Sequence, residues 1–159
     1  LMHRDGDKPA EIVEMLWYFD SSIHSPIKRQ SWYQRGKQHR DGDLPAEIWA
    51  NGAQVWYQDD EAHRGGDLPA VVNADGTLAW YKHGKLHREE DKPAIIYMNG
   101  TQKWYQNGGL HREEDKPAIV WSCGTLEWWV NGTRQKAATP DADNVDVIVV
   151  VTEEKEIPE

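Results

Sequence analysis

A unit of 24 residues is written five times in this chain, and that repetition restricts the fold more than any local motif does. Its frame is His-Arg, then Asp-x-Pro-Ala, a Gly turn, and an aromatic pair. His-Arg stands at His39-Arg40, His63-Arg64, His87-Arg88 and His111-Arg112, and Pro45-Ala46, Pro69-Ala70, Pro93-Ala94 and Pro117-Ala118 keep step. Self-similarity at such a period marks an array of supersecondary units, each burying its apolar face only by stacking on its neighbours. The fold question therefore reduces to one unit.

The ends of the array depart from the frame. A first copy begins at His3-Arg4 and Pro9-Ala10 but reaches Trp32-Tyr33 twelve residues late, so the segment from about Leu16 to Ser25 reads as an insertion. It carries Trp17-Tyr18-Phe19 and ends at Ser25-Pro26, which fits an elongated hairpin as well as a loop on one face. After Trp128-Trp129 the frame gives way, with Gln135-Lys136 where His-Arg is due. The expected organisation is an array over residues 1–134, a linker over 135–144, and a C-terminal strand with an acidic tail over 145–159. Val145 to Val151 is a β-branched apolar run and reads as a strand. A cap on the last edge is the first expectation for it; self-association as a homo-oligomer and an aggregation-prone tail are the alternatives.

Within the copy from Pro93 to Arg112, Ala94 to Met98 is β-prone and Asn99-Gly100 signals a two-residue type I′ turn. Thr101 to Gln106 returns, Asn107-Gly108 turns again, and Gly109 to Arg112 adds a short third segment. Two-residue turns would set Ile95 opposite Trp104, Ala94 opposite Tyr105, Trp104 opposite His111 and Tyr105 opposite Leu110. Alternation along a strand then separates a Trp-His face from an Ala-Tyr face. The apolar Ala-Ile-Met and Tyr-Leu side, with Met98, is expected to pack and the Trp-His side to stay open. The fold class that follows is all-β: an elongated single-sheet antiparallel meander of 24-residue β-hairpin repeats with a C-terminal capping strand.

The unit resembles the short β-hairpin MORN-type repeats, carried here by Trp80-Tyr81-Lys82-His83-Gly84 and Trp104-Tyr105-Gln106-Asn107-Gly108. It is closer still to the His-Arg-x-x-Gly-Pro-Ala variant found in phage, large-virus and bacterial proteins, over Leu1 to Gly132. Leu44, Leu68, Lys92 and Lys116 stand where that variant usually has Gly. The resemblance implies scaffolds, protein binders, lipid-associated modules and antitoxin-like proteins.

The chemistry-bearing residues read first as structure. Equivalent histidines in successive hairpins lie at least two strand spacings, about 10 Å, apart, whereas zinc ligands converge within about 2.3 Å of one ion. No metal and no cofactor is expected. Arg and Asp recur three apart, as Arg40/Asp43, Arg64/Asp67, Arg88/Asp91 and Arg112/Asp115, and are expected as corner salt bridges within each unit. Glu89-Glu90 and Glu113-Glu114 fall on a repeated loop that is Asp41-Gly42 and Gly65-Gly66 elsewhere, which suits a solvated run better than a catalytic pair. Cys123 is the one cysteine, so no internal disulfide forms. Neither a nucleophile elbow nor a P-loop is present, and no catalytic residue is expected.

Hydrophobic content is 38%, low for a globule, but nine Trp and six Tyr supply buried area and recognition surface alike. The candidate binding residues are Trp56, His63, Trp80, His87, Trp104 and His111 on the Trp-His face, with Trp17 and Tyr18 of the insertion. The expected function is a non-catalytic scaffold that binds a protein partner, with a virus- or phage-encoded inhibitor of a host factor as the setting the resemblance implies. A nucleotide-binding sponge and a virion or membrane-associated module are the alternatives. A net charge of −9 opposes extended nucleic acid, whose affinity comes from phosphate neutralisation, but not a small nucleotide. No apolar run approaches the roughly 20 residues that span a bilayer, so membrane association is disfavoured and a cytoplasmic location, the host's if viral, is expected.

Overall fold

The computed structural model describes residues 11–14, 28–140 and 145–148, with the backbone alone at 11–14, 28, 140 and 145–148. Every regular element among them is a strand. The chain forms two compact units, Leu1–Leu86 and His87–Glu159. In the first, the sheet runs Glu11–Glu14, Lys28–Ser31, Glu47–Trp49, Gln54–Val55, Val71–Val72, Leu78–Ala79. In the second it runs Ile95–Ile96, Gln102–Lys103, Ile119–Val120, Leu126–Val130, Thr133–Pro140, Val145–Ile148. Neighbours pair antiparallel in sequence order, so each sheet is an open meander of hairpins.

One repeat contains four short strands, not two or three. Ile95–Ile96 and Gln102–Lys103 belong to the sheet, while Tyr105–Gln106 and Gly109–Leu110 form a separate two-stranded ribbon. Trp104 is the joint between them. Its N–H donates to the Ala118 carbonyl at 2.8 Å and its own carbonyl accepts from His111 N–H at 3.1 Å. The ribbon turns, Asn107-Gly108 among them, carry two successive left-handed residues, as type I′ requires. The expected Tyr105–Leu110 and Trp104–His111 pairings are found.

The sheet hairpin differs from expectation by one residue. Ile95 pairs with Lys103 and Ile96 with Gln102, not Ile95 with Trp104. The reason is the turn: Tyr97 and Thr101 close a three-residue loop, with Gly100 N–H on the Tyr97 carbonyl and Gly100 at φ 86°. This is the type I turn with a left-handed third residue, a G1 bulge. A slip of one reverses the facing of every side chain on the returning strand.

That slip decides which face is core. Trp32, Trp56, Trp80 and Trp104 are each only 7% exposed, and Ala46, Ala70, Ala94 and Ala118 are fully buried. The Trp side, expected to lie open, is packed interior. Large rings buried on small alanines gain more by leaving water than any other residue pair in the frame. Met98, expected on the packed side, is 75% exposed at the hairpin tip.

The array's end also departs from the expected division. Thr133–Pro140 is one strand, so residues 135–140 are not linker. They lack the left-handed Glu-Asp or Gly-Asp pair that turns the chain before Pro in other copies, and the strand simply continues. It pairs with Leu126–Val130 across a register shift between Trp128 and Trp129, merging ribbon and sheet. Val145–Ile148 then pairs with it in the same chain, Pro140 opposite Val145 and Ala137 opposite Ile148, as a capping strand would. At the other end the insertion is bracketed by the paired strands Glu11–Glu14 and Lys28–Ser31. Trp17, Tyr18 and the rest of 16–25 lie outside the described residues.

Candidate functional site

The recurring polar residues bind the repeats to one another. Arg64 reaches Asp43, twenty-one residues back, through Nε–Oδ1 at 2.7 Å and Nη2–Oδ2 at 2.9 Å. Arg112 makes the same bidentate pair with Asp91. The expected pairs Arg64/Asp67 and Arg112/Asp115 within one unit are therefore corrected: these bridges run between repeats. What each Arg does within its own repeat is donate to the proline carbonyl, as from Arg40 to Pro45, Arg64 to Pro69, Arg88 to Pro93 and Arg112 to Pro117. Asp67 and Arg88 also engage partners.

The guanidinium planes cover the buried indoles. Arg40, Arg64 and Arg112 lie 3.8, 3.8 and 3.9 Å from the ring centroids of Trp32, Trp56 and Trp104. Each indole N–H donates to a carbonyl thirteen residues back: Trp56 to Asp43, Trp80 to Asp67, Trp104 to Asp91 and Trp128 to Asp115. Lys136 stands where the next Arg would be and does the same work, at 2.7 Å from Asp115 and 4.6 Å from the Trp128 ring. Thus the frame persists chemically one unit beyond its visible end. Hydrogen bonds from Arg64 hold the Asp43 carboxyl below its ordinary range, and those from Arg112, with Lys116 behind them, take Asp91 to about 2.

The histidines are staples as well. Nδ1 of His39, His63, His87 and His111 accepts the backbone N–H of the residue twenty positions on, Asp59, His83, Asn107 and Asn131, at 3.2 to 3.3 Å. The neutral ring therefore carries its proton on Nε2, which faces a carboxylate two residues on in three copies: Asp41, Glu89 and Glu113. Gly65 takes that place beside His63. His63 instead stacks on His83, centroids 4.8 Å apart. Burial first, then the charges of His83 and Lys82, lower its pKa. Among the described residues no cluster of His, Cys, Asp or Glu could hold a metal ion, and no helix is long and apolar enough to cross a membrane.

Trp56, Trp80, Trp104, His63, His87 and His111 are thus occupied by the architecture. A different face of the second unit carries half-buried aromatic rings beside charges. Ile95, Lys103, Ile119 and Glu127 are cross-strand partners and share one side of the sheet, with Tyr97 and Trp121 two residues further along their strands. The Lys103 ammonium lies between rings, 5.2 Å from Tyr97 and 5.1 Å from Trp121. The Glu127 carboxylate accepts from the Trp121 indole at 2.9 Å and the Trp129 indole at 3.0 Å, and pairs with Arg134 at 3.2 Å. A simpler version stands in the first unit, where Arg29 pairs with Glu47 at 2.9 Å and lies over Trp49. Sequence reasoning passed over these residues. The available signal was that Trp49, Tyr97 and Trp121 share one repeat position, just before the hairpin loop.

Charge is distributed unevenly. Residues 28–139 hold fifteen Lys or Arg and fifteen Asp or Glu, so the net −9 lies entirely in the flanks, with −6 in residues 140–159. The array surface itself is balanced, and a general acidic attraction does not describe it. No family model, curated protein or solved structure matches this chain.

Proposed function

We propose that the chain is a non-catalytic repeat scaffold of the MORN-like kind that holds a protein partner, with Tyr97, Trp121, Trp129, Lys103, Glu127 and Arg134 as the contact face. One observation carries this reading: the recurring Trp, Arg and His are consumed in joining repeats, while this face keeps Trp, Tyr and Arg side chains partly exposed. Those residue types dominate the energetic centres of protein interfaces. The Lys103 and Glu127 networks fix the rings in place, so little side-chain freedom is lost on binding. The resemblance to phage and large-virus repeat proteins supplies the setting, a host factor held in the host cytoplasm. Affinity capture from host extract with the intact chain and with Trp121→Ser/Trp129→Ser tests it. Loss of one specific protein in the variant, with the fold intact by circular dichroism, supports the reading; equal recovery by both chains removes this face from it.

A further inference from the structure

We propose that the outer edge of the Val145–Ile148 strand is a self-association site, which a second copy of this chain occupies by antiparallel strand pairing. The strand uses one edge on Thr133–Pro140 and is the last in the order of the second unit's sheet among the described residues. Its other edge therefore presents a row of backbone N–H and C=O groups, a template for a further strand.

Composition points the same way. Edge strands are ordinarily protected by Lys, Pro, a bulge or an inward charge. Val145, Val147 and Ile148, followed in sequence by Val149, Val150 and Val151, supply none of these, and Asp146 is the one polar residue of the run. By contrast, Glu11–Glu14, the first strand of the other unit's sheet, has Glu at both ends.

A second copy fits this edge because the run is compatible with itself. In the two-fold register that uses all four residues, Val145 lies opposite Ile148 and Asp146 opposite Val147, so the acid does not meet its counterpart. Isologous pairing of this kind closes at two chains. Like-charged flanks, −6 over residues 140–159, oppose the approach. Screening weakens that repulsion, so association strengthens with salt.

Sedimentation equilibrium of the full chain tests the proposal, at about 100 µM in low and in high salt. A two-chain mass whose fraction rises with salt is the expected result. Ile148→Lys places a cation on the pairing edge and should weaken association at least about tenfold, while Asp146→Val removes the one acid of the strand and should strengthen it about as much. A single-chain mass for wild type and Asp146→Val at both salt concentrations overturns the proposal. So does a two-chain mass that neither substitution shifts. Ile148→Lys counts only with an unchanged circular dichroism spectrum, and Asp146→Val decides the matter where it is not.

Discussion

Arg112 closes onto Asp91 of the preceding repeat, Nε to Oδ1 at 2.7 Å and Nη2 to Oδ2 at 3.1 Å, and leaves Asp115 of its own repeat to Lys136. The same guanidinium donates to the Pro117 carbonyl and lies over Trp104. One side chain thereby ties a loop, a core ring and the previous unit together. Stability in an array is the sum of unit and nearest-neighbour terms, and Arg112 belongs mainly to the second kind.

A double-mutant cycle separates the two pairings. Arg112→Ala should destabilise by about 2–3 kcal/mol, from a lost bidentate pair, carbonyl bond and cation–π contact. Asp91 is well exposed, so solvent screening limits its coupling to Arg112 to about 1 kcal/mol. Coupling between Arg112 and Asp115 should be near zero. Urea unfolding of the single and double variants measures both, and a larger Arg112/Asp115 term would restore pairing within the unit.

Trp104 distinguishes a core from a recognition face. Trp104→Ala should cost about 3–5 kcal/mol, as for other buried aromatic truncations. Trp104→Phe retains most of the area but leaves the Asp91 carbonyl without its indole donor, at about 1 kcal/mol beyond the lost volume. In the intact chain a blue-shifted share of the emission should resist acrylamide, and Trp104→Phe should reduce that share. Ready quenching with a near-neutral alanine substitution would return the ring to the surface.

Much of the fold was legible because Asn-Gly and the 24-residue period are local signals. Hairpins and antiparallel order followed from them, and the final strand from the β-branched run that begins at Val145. What failed depended on one residue of loop length: Asn99-Gly100 suits a two-residue turn, but Gly100 serves instead as the left-handed third residue after Met98. The shifted register buries Trp104, and the apparent recognition face became core. The Arg–Asp partners were misassigned for a related reason, since residues three apart in sequence look adjacent while those one hairpin apart do so only in space. Asp91 at φ 53° and Glu90 at φ 60° turn the loop back to the next repeat. Lys136 and Gln135 concealed a frame whose chemistry Lys136 still performs.

Stability should fall in two separate acid windows. His63 has a folded pKa below its ordinary value of 6.5, held there by burial and by His83 and Lys82 against Glu61. The unfolded chain thus binds the proton more readily, so stability is full above 6.5 and declines as pH falls toward the depressed folded value. Asp91, lowered from 3.8 to about 2, contributes above 3.8 and loses that contribution as pH falls through about 2. His63→Gln should flatten the first decline, and Asp91→Asn should lessen the second, which Asp43 shares, in thermal melts from pH 7 to 2. An unchanged first window in His63→Gln would place it on another group.

The loops before Pro93 and Pro117 contain backbone strain that the other copies avoid with glycine. Glu114 sits at φ 61° and Glu90 at φ 60°, where the equivalent residues Gly66 and Gly42 have φ 70° and 77°. A left-handed conformation costs an L-residue about 1–2 kcal/mol that glycine does not incur. Glu114→Gly removes that strain. It also gives up the 2.6 Å contact from Lys116 to Glu114, an exposed pair that solvent screens, and frees the unfolded backbone. The balance should be a net stabilisation of about 0.5 kcal/mol, read as a higher urea midpoint at unchanged slope. Glu113→Gly is the control, because Glu113 is outside the positive-φ region, and glycine there adds entropy to the unfolded chain and gives up the carboxylate that faces His111 Nε2. Its midpoint should fall. If both substitutions lower the midpoint equally, the left-handed turn at Glu114 carries no strain and is held by side-chain contacts alone.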